Sequence, residues 1–372
     1  MTSTATPPAG TVPAGLTRID HFTTADAAEQ TGVQLRLVRE AAPRFRDWFS
    51  STGTPDYVGT FDLVSLPYPT KFGLFRAALT PSPFLTITNR LLVIRWKDAG
   101  GATRTLLFEP SDVQLGANTP YFRTLTDSMP KQLERFTVKY HATVEETLRR
   151  LGIRAEEIDF LTFDHLHTQD VRRWIGTTRP QADISPAKPI EPYFPNAKLV
   201  VQRTEIEALA ELHPLQRPWF QPETYVDLRR DNLLQIDGDV LLGPGVALLS
   251  TPGHTIGNHS LVLNTATGIW ASSENAIAAE CMSPEHSRIP GVRRWAERWG
   301  QEVIINANTI EHTAQQYNSM VKEKSIVDRS RLNPRFLQFF PSSELTTNRL
   351  NPGTQPTFNH FAISHGTLSP AS

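Results

Sequence analysis

Residues 159–170 read Asp-Phe-Leu-Thr-Phe-Asp-His-Leu-His-Thr-Gln-Asp and carry the clearest chemical signal in the chain. Residues 158–163 are mostly apolar or β-branched, which predicts a short buried strand. His165 and His167 follow it, and two histidines separated by one residue project from the same side of an extended chain. Because imidazole is the commonest neutral nitrogen ligand, this spacing suits a metal ion. Two unconnected surface histidines would give the same pattern.

Asp170 follows His167 by three residues and precedes a predicted helical turn at residues 171–175. A carboxylate is favoured at the N-terminus of a helix, where the backbone carries a partial positive charge. The same carboxylate is also an oxygen ligand suited to a second cation beside the histidines. The sequence leaves both roles, helix cap and metal ligand, open for Asp170.

A second unusual stretch, residues 248–260, reads Leu-Leu-Ser-Thr-Pro-Gly-His-Thr-Ile-Gly-Asn-His-Ser. An apolar strand runs into Pro-Gly, then His254, then another glycine, and a new apolar strand begins at Leu261. Packing alone is a poor explanation for a histidine held in a tight, glycine-bounded turn between two strands.

Together the two stretches resemble the metallo-β-lactamase superfamily. That family carries His-x-His-x-Asp-His after one strand and a Thr-Pro-Gly-His-Thr-x-Gly turn later in the chain. The second match is nearly complete, whereas in the first Gln169 stands in place of the family aspartate and Asp170 in place of the family histidine. The resemblance covers about residues 85–345. It implies an α/β fold, a four-layer αββα sandwich, and a helical extension at the N-terminus of this chain.

The resemblance also implies a set of site residues. The metal ligands that it indicates are His165, His167, Asp170, His254 and Glu274. Glu274 stands in place of the family aspartate that bridges two metals, and Ser343 in place of the last family histidine. Because the Gln169 amide cannot accept a proton, the catalytic role falls to Asp170 or Glu274. Ser342 and Ser343 are expected to hydrogen-bond the groups around the metal.

Three neutral imidazoles leave one open position on a tetrahedral zinc ion, as in catalytic zinc sites. Water bound there has a pKa of about 7 and becomes a hydroxide nucleophile. One or two zinc ions are expected, with Mn²⁺ or Fe²⁺ as alternatives in an oxygen-rich second site. We therefore predict a metal-dependent hydrolase of a small ester, lactone, amide or phosphoester. The alternatives are an iron-dependent oxidoreductase on the same fold and a metal-binding protein whose catalysis has decayed.

Composition narrows the class of protein further. The chain has 372 residues, of which 39% are hydrophobic and 20% charged, as in globular proteins. The formal net charge of −1 argues against general binding to nucleic acid or membrane surfaces. The aromatic and proline-rich loops favour a small-molecule substrate with an apolar part. There is no apolar run of about 18 residues, so no transmembrane helix is expected. The single cysteine, Cys281, excludes an intrachain disulfide and predicts a cytoplasmic location.

The predicted organisation has four parts. Residues 1–20 are rich in Thr, Ala and Pro and are expected to form a disordered tail. Residues 21–80 are expected to form an N-terminal extension that packs on the core and could also make a homo-oligomer contact. Residues 81–345 are expected to form the metallo-β-lactamase-like domain, and residues 346–372 a C-terminal tail.

Several local predictions bear on the site. Residues 129–151 read as a helix capped by Ser128, and residues 232–236 and 240–242 as a strand pair. The proline-rich loop at residues 180–196 could form a wall of the site, and the aromatic stretch at 213–220 could shape a pocket. Further candidates near the site are His360 and His365 as replacement ligands, and Glu311 and His312 facing solvent or the groups around the metal.

Overall fold

The chain folds into two facing β-sheets with helices on their outer faces. A computed structural model of the protein describes residue 13 and residues 15–128, 138–348 and 353–368. The strands, numbered along the chain, are β1 (Thr17–Arg18), β2 (Tyr57–Pro69), β3 (Phe84–Lys97), β4 (Thr103–Phe108), β5 (Lys139–Tyr140), β6 (Phe160–Thr162), β7 (Pro180–Gln181), β8 (Ser185–Pro189), β9 (Lys198–Gln202), β10 (Leu233–Ile236), β11 (Val240–Gly243), β12 (Val246–Ser250), β13 (His259–Thr265), β14 (Gly268–Ser272), β15 (Ser343–Thr346) and β16 (Ser364–Gly366).

The larger sheet is mixed. Within the described residues it has nine strands, of which seven follow the order β10-β9-β6-β4-β3-β2-β16, while β15 and β5 pair with β3 and β2. Strands β10, β9, β6 and β4 are parallel neighbours. The smaller sheet, order β1-β11-β12-β13-β14, is antiparallel throughout. Strand β6, which precedes the first histidine motif, therefore lies inside the parallel part of the larger sheet.

Strand β3 shows why the larger sheet is apolar on both faces. Leu91 and Val93 pack with the helices outside the sheet, whereas Leu92 and Ile94 pack against the smaller sheet. Leu248 and Leu261 of the smaller sheet belong to this inner core. A sheet covered on both faces reads as a continuous apolar run, which the sequence of β3 shows.

Helices cover the outer faces. The α-helices are α1 (Thr23–Asp26), α2 (Thr31–Ser50), α3 (Thr70–Gly73), α4 (Val113–Gly116), α5 (Pro120–Ser128), α6 (Val144–Leu151), α7 (Arg172–Ile175), α8 (Arg203–Ala208), α9 (Val292–Trp299) and α10 (Thr313–Ile326). Short 3-10 helices lie at Ala155–Glu157, Arg217–Trp219, Pro222–Tyr225, Arg230–Asn232, Ala279–Cys281 and Pro284–His286. The four layers confirm the predicted αββα sandwich. No helix among the described residues is long and apolar enough to span a membrane.

The predicted N-terminal extension is part of the sandwich. Helix α2 buries Phe45 and Phe49 in the same core as Met320 of α10, so it belongs to the outer helical layer. Strand β2 pairs with β3 along nearly its whole length and is integral to the larger sheet. Backbone pairing between β2 and β3 therefore continues across the predicted boundary near residue 80.

Both predicted tails also contribute strands. Thr17–Arg18 pairs with β11 at the edge of the smaller sheet, and Ile19 is buried. Ser364–Gly366 pairs with β2 at the edge of the larger sheet. The tails are therefore shorter than the predicted residues 1–20 and 346–372, since these segments satisfy the backbone groups of edge strands.

The structure also corrects the strand pair predicted at residues 232–242. Strand β10 pairs with β9 in the larger sheet, whereas β11 pairs with β12 in the smaller sheet. The turn at Asp237–Gly238 therefore carries the chain from one sheet to the other. Two short apolar runs around a turn fit this crossing as well as they fit a hairpin.

The helix predicted at residues 129–151 begins later in the structure. Residues 129–137 lie outside the described residues, and Lys139–Tyr140 is a strand. Helix α6 starts at Val144, where the Thr143 hydroxyl accepts a hydrogen bond from the Glu146 N–H and the Glu146 carboxylate accepts one from the Thr143 N–H. This reciprocal cap fixes the start of the helix. The predicted stop at Gly152 agrees with its left-handed conformation.

Candidate metal centre

The two histidine motifs lie on loops that the two sheets bring together. His165 and His167 follow β6, at the carboxyl end of a parallel strand, where ligand sites commonly form in α/β folds. His254 lies in the turn between β12 and β13. The backbone N–H of His259 donates to the Asp164 carbonyl at 2.8 Å and joins the two loops.

Two glycines allow the His254 turn to fit its surroundings. Gly253 has a φ of +134°, and a Cβ atom there would lie 2.2 Å from the Gln316 backbone nitrogen of α10. A Cβ atom on Gly257 would lie 2.3 Å from Cβ of Glu205. Since other residues would collide at both positions, the glycines of the motif set the position of His254.

The three imidazoles meet in one buried cluster. Their ring centroids are separated by 4.6 Å between His165 and His167, 4.5 Å between His165 and His254, and 5.1 Å between His167 and His254. One ligand nitrogen from each lies within 4.8 Å of the other two. This is the only such group of His, Cys, Asp or Glu side chains within the described residues. The structure therefore brings together three of the five predicted ligands, and we call them the histidine cluster.

Each imidazole of the histidine cluster hydrogen-bonds an acceptor through one ring nitrogen. The pairs are His165 Nδ1 with Asp164 Oδ1, His167 Nε2 with Gln216 Oε1 at 2.6 Å, and His254 Nδ1 with the Asn306 backbone oxygen at 2.7 Å. A carboxylate, an amide oxygen and a carbonyl can only accept, so each ring donates a proton in its pair. When the rings are neutral, the lone pairs lie on the other nitrogens, Nε2 of His165, Nδ1 of His167 and Nε2 of His254.

The Gln216 amide has its own partner, which fixes its orientation. Its Nε2 donates to Glu311 Oε1 at 2.8 Å, so the amide oxygen faces His167. The Asn308 amide nitrogen lies 3.4 Å from Nδ1 of His167, which fits a lone pair at that atom. Glu311 therefore holds the amide that orients His167, which is one of the two positions that the sequence left open for it.

Burial and charge give the three rings different proton affinities. Burial, with a contribution from His165, lowers the pKa of His254 to about 3. Burial likewise lowers the pKa of His167 well below its usual range. Burial also opposes protonation of His165, but the Asp164 carboxylate outweighs it and raises the pKa of His165 to about 9. His167 and His254 are therefore held in the neutral form that binds metal.

A buried carboxylate, Glu205 of α8, ties the two histidine loops together. Its Oε1 accepts from the backbone N–H of Leu166 at 2.9 Å. Its Oε2 accepts from the Thr255 hydroxyl at 2.7 Å and from the Gly257 N–H at 3.1 Å. One side chain thus holds the loop after β6 against the turn that carries His254.

Glu274, which follows β14, lines the same cavity as the three imidazoles. Its backbone N–H donates to the Asp164 carboxylate, and the Ser343 hydroxyl hydrogen-bonds its side chain. Burial raises the pKa of Glu274 to about 7, although nearby His165 lowers it. The structure thus places Glu274 beside the histidine cluster, while its role as a ligand stays a prediction. Ser343 partners Glu274, and the Ser342 hydroxyl donates to Asp164 at 2.7 Å.

Asp170 lies elsewhere, and its prediction as ligand and catalytic group is not supported. Its Oδ1 accepts from the Arg172 Nε at 3.1 Å, and its Oδ2 from the Arg172 Nη2 at 2.7 Å. The Arg172 N–H also donates to Oδ1 at 3.1 Å, as at the start of a helix. Both oxygens are therefore engaged by one residue. Of the two roles that the sequence left open, the structure favours the one at the helix N-terminus.

Other candidates also lie away from the histidine cluster. His360 Nε2 donates to the Leu337 carbonyl at 2.8 Å, and its ring packs against Trp270. His365 lies in β16, opposite Val58. Neither histidine is a replacement ligand here. The loop at residues 180–196 contributes no residue to the cavity wall, whereas the aromatic stretch at 213–220 contributes Trp219.

The cavity beside the histidine cluster has a volume of about 140 Å³. A cavity of about 150 Å³ holds a benzene ring in a well-studied protein, so there is room for more than water. The polar side chains of its lining include the imidazoles, Glu274 and Gln169. The apolar lining residues include Val64, Leu66, Ile87, Val113, Phe122, Leu125 and Val138.

Sequence reasoning missed the residues that orient the rings. Gln216 and Asn306 come from distant segments and carry no local signal. Glu205 likewise lies on a short helix of ordinary composition. Only Asp164 could have been found, because it directly precedes His165 in the motif.

Known proteins resemble the chain over part of its length. No family model matches it. It is 30% identical over 118 residues to an N-acyl homoserine lactonase of Bacillus sp. and, over the same length, to one of Bacillus thuringiensis. Each match covers 32% of this chain and 38% of the relative, so the chain spans well under half the length of these curated relatives.

Two solved structures are also similar. A dizinc quorum-quenching lactonase, AidC, is 12% identical with a TM-score of 0.47, covering 81% of this chain and 94% of that one. An N-acyl homoserine lactone hydrolase is 19% identical with a TM-score of 0.43, covering 67% and 90%. At these scores the similarities carry no argument by themselves. Over the matched 118 residues the chain is similar to these lactonases, and its αββα layers and two histidine motifs agree with the resemblance that the sequence indicates.

Proposed function

We propose that the chain is a metal-dependent hydrolase of a small, uncharged ester or lactone. One observation carries the proposal: one ligand nitrogen of each of the three imidazoles lies within 4.8 Å of the other two, while each ring is hydrogen-bonded to an acceptor through one nitrogen. In metal sites a ligating histidine almost always donates its second nitrogen to a carboxylate, a carbonyl or water. The partners of His165, His167 and His254 follow this rule.

The donor set fits a divalent ion of the zinc type. Neutral imidazoles suit zinc, and three protein ligands with one open position are typical of catalytic rather than structural zinc sites. When bound, such an ion supplies a Lewis acid and lowers the pKa of a coordinated water. His165, His167 and His254 would hold the ion in the wall of the cavity, which a substrate carbonyl could enter.

Glu274 is the carboxylate that we assign to proton transfer. The cavity wall holds one other carboxylate, Asp112, whose oxygens accept from Arg173 at 2.7 Å and from the Leu115 N–H at 3.2 Å. Glu274 has no arginine partner and lies beside the imidazoles. It is placed to accept a proton from the attacking water and to return it to the leaving alcohol.

The cavity wall favours an uncharged substrate with an apolar part. Among the described residues that line it, none is a lysine or an arginine. A phosphoester would therefore bring negative charge without a cationic side chain to meet it. The apolar side chains of the wall can contact an acyl chain. The lactonases that match part of this sequence are named for acylated lactones. We therefore favour esters and lactones over phosphoesters.

Hydrolysis of a substrate panel by the metal-stripped and zinc-reloaded protein tests this function. The panel contains aryl esters and acylated γ-lactones of increasing chain length, with an aryl phosphate for comparison. We expect ester or lactone hydrolysis that appears on zinc addition, and little phosphatase activity. Hydrolysis of the aryl phosphate alone, or no zinc-dependent hydrolysis, would contradict the proposal. Iron retained after purification, with oxygen uptake, would favour the oxidoreductase alternative.

A further inference from the structure

The carboxylates around the histidine cluster have few free oxygens. Those with both oxygens already hydrogen-bonded are Asp112, Asp164, Asp170 and Glu205. Glu109 accepts from the Asp164 N–H at 2.7 Å and does not line the cavity. Among the described residues that line the cavity, Glu274 is thus the carboxylate without a charged partner, although Ser343 and Asn306 hydrogen-bond its side chain.

Asp170 already has a cation of its own. Arg172 is buried, and its guanidinium contacts Asp170, the Asp183 carboxylate at 2.7 Å and the Gln181 amide oxygen at 3.1 Å. A guanidinium stays protonated in proteins. A metal ion bound to Asp170 would have to displace this guanidinium or lie against its positive charge. We call Asp170, Arg172, Gln181 and Asp183 the arginine cluster.

The two remaining candidates for a second ion are neutral side chains. The Gln169 amide nitrogen donates to the Ser111 hydroxyl at 3.0 Å, and the Ser343 hydroxyl hydrogen-bonds Glu274. Neither supplies the negative charge that a second divalent ion needs beside one already bound. The oxygen-rich second site expected from the sequence therefore lacks free ligands.

We infer that the centre holds a single divalent ion, and that Arg172 supplies Asp170 with the positive charge that a second ion would otherwise provide. The inference rests on the proposed function, because it takes the histidine cluster as the site of the first ion. Two side chains distinguish this centre from a two-ion centre. Asp170 is the ion-pair partner of Arg172, and Glu274 faces the single ion.

Zinc stoichiometry and affinity in the full-length protein test the inference without any activity measurement. The protein is stripped with a chelator, dialysed against zinc and measured by elemental analysis, and the affinity is measured by competition with a chromophoric chelator. We expect about one zinc per chain. We also expect Asp170→Asn to bind the same amount with an affinity within about threefold of the original chain.

A second variant covers a folding failure of Asp170→Asn, which would leave Arg172 short of a partner. The double variant Asp170→Asn with Arg172→Gln removes both charges, and far-UV circular dichroism checks its fold. It should still bind about one zinc per chain. Two tightly bound zinc ions in the original chain, or loss of one ion in the folded variants, would overturn the inference and leave the proposed function standing. No bound zinc in the original chain would overturn both.

Discussion

His165 and His167 of the histidine cluster and Asp170 of the arginine cluster lie in the same buried segment after β6, but the two clusters use opposite chemistry. In the arginine cluster, the guanidinium of Arg172 meets two carboxylates and an amide oxygen, so the protein satisfies its own charges. In the histidine cluster, one nitrogen of each ring is hydrogen-bonded to an acceptor, and one ligand nitrogen of each ring lies within 4.8 Å of the other two. Only the second arrangement is incomplete without something from outside the chain.

The difference shows how a site is recognised in a folded protein. Buried polar groups are normally paired within the protein, so a converging set of unshared lone pairs marks a place for a ligand. Charge and burial alone do not mark it, because Asp170 and Arg172 are as buried as the histidines. The predictions below test this contrast from its strongest consequence to its weakest.

Removal of one imidazole should have the largest effect. His165→Ala is expected to lose most of the bound zinc, and hydrolysis should fall roughly 10³- to 10⁶-fold, the range seen when groups that act as a unit are removed. Elemental analysis and initial rates measure both. His365→Ala, in β16 and away from the cluster, is the control and should keep its zinc. Full zinc binding by His165→Ala would show that the three imidazoles do not bind one ion jointly.

Glu274→Gln should separate metal binding from catalysis. An amide cannot accept the proton, so we expect the rate to fall roughly 10²- to 10⁴-fold, the usual contribution of general acid–base catalysis, while zinc is retained. Rates at saturating zinc and the zinc content of the same sample measure the two effects. Glu285→Gln, at an exposed position, is the matched control. An unchanged rate in Glu274→Gln would remove this residue from the mechanism.

Asp164→Asn tests the acceptors that fix the rings. We expect zinc affinity to weaken about 10- to 100-fold, as for other outer partners of metal ligands, with no change in stoichiometry at saturating zinc. The neutral amide orients His165 less firmly and removes the charge opposite it. Competition with a chelator measures the affinity. Affinity equal to that of the original chain would mean that His165 does not depend on its partner.

Glu205→Gln should weaken the link between the two histidine loops. The amide offers one acceptor oxygen where the carboxylate offered two, so a buried donor loses its partner, which lowers the free energy of unfolding by about 1–3 kcal/mol. Urea denaturation measures the change. Glu207→Gln lies on the same helix with 57% of its side chain exposed and should change the free energy of unfolding very little. Equal effects of the two substitutions would contradict the role of Glu205.

Asp183→Asn should have the smallest effect of the series. Its side chain is 54% exposed, so solvent screens its ion pair with Arg172, and we expect the free energy of unfolding to fall by less than about 1 kcal/mol. Arg172 keeps Asp170 as a partner in this variant. Urea denaturation again gives the value, with zinc content unchanged. Loss of zinc on this substitution would show that the arginine cluster affects metal binding by the histidine cluster, which contradicts their independence.

The sequence predicts the parts of the site that are local. His165 and His167 share a short segment, and His254 lies between two glycines at positions where a larger residue would collide with its neighbours. Pattern and spacing therefore identify all three. The fold class follows from the same motifs. Glu274 was predicted from the resemblance, where it stands in place of the family aspartate; it lines the same cavity as the imidazoles, and its role as a ligand stays a prediction.

The rest depends on contacts between distant segments. Whether Asp170 faces a metal or Arg172 is decided by side-chain packing around α7, and the sequence pattern fits both. The sequence of residues 232–242 is compatible both with a hairpin and with a crossing between the two sheets. Gln216 and Asn306 become partners of the histidines only after the loops pack.

Anomalous diffraction at the zinc absorption edge, from crystals grown with zinc, tests the central claim most directly. The account predicts one strong peak per chain, about 2.0–2.1 Å from Nε2 of His165, Nδ1 of His167 and Nε2 of His254, with no peak beside Asp170. A histidine cluster without a peak, or a second peak between Asp170 and Arg172, would contradict it.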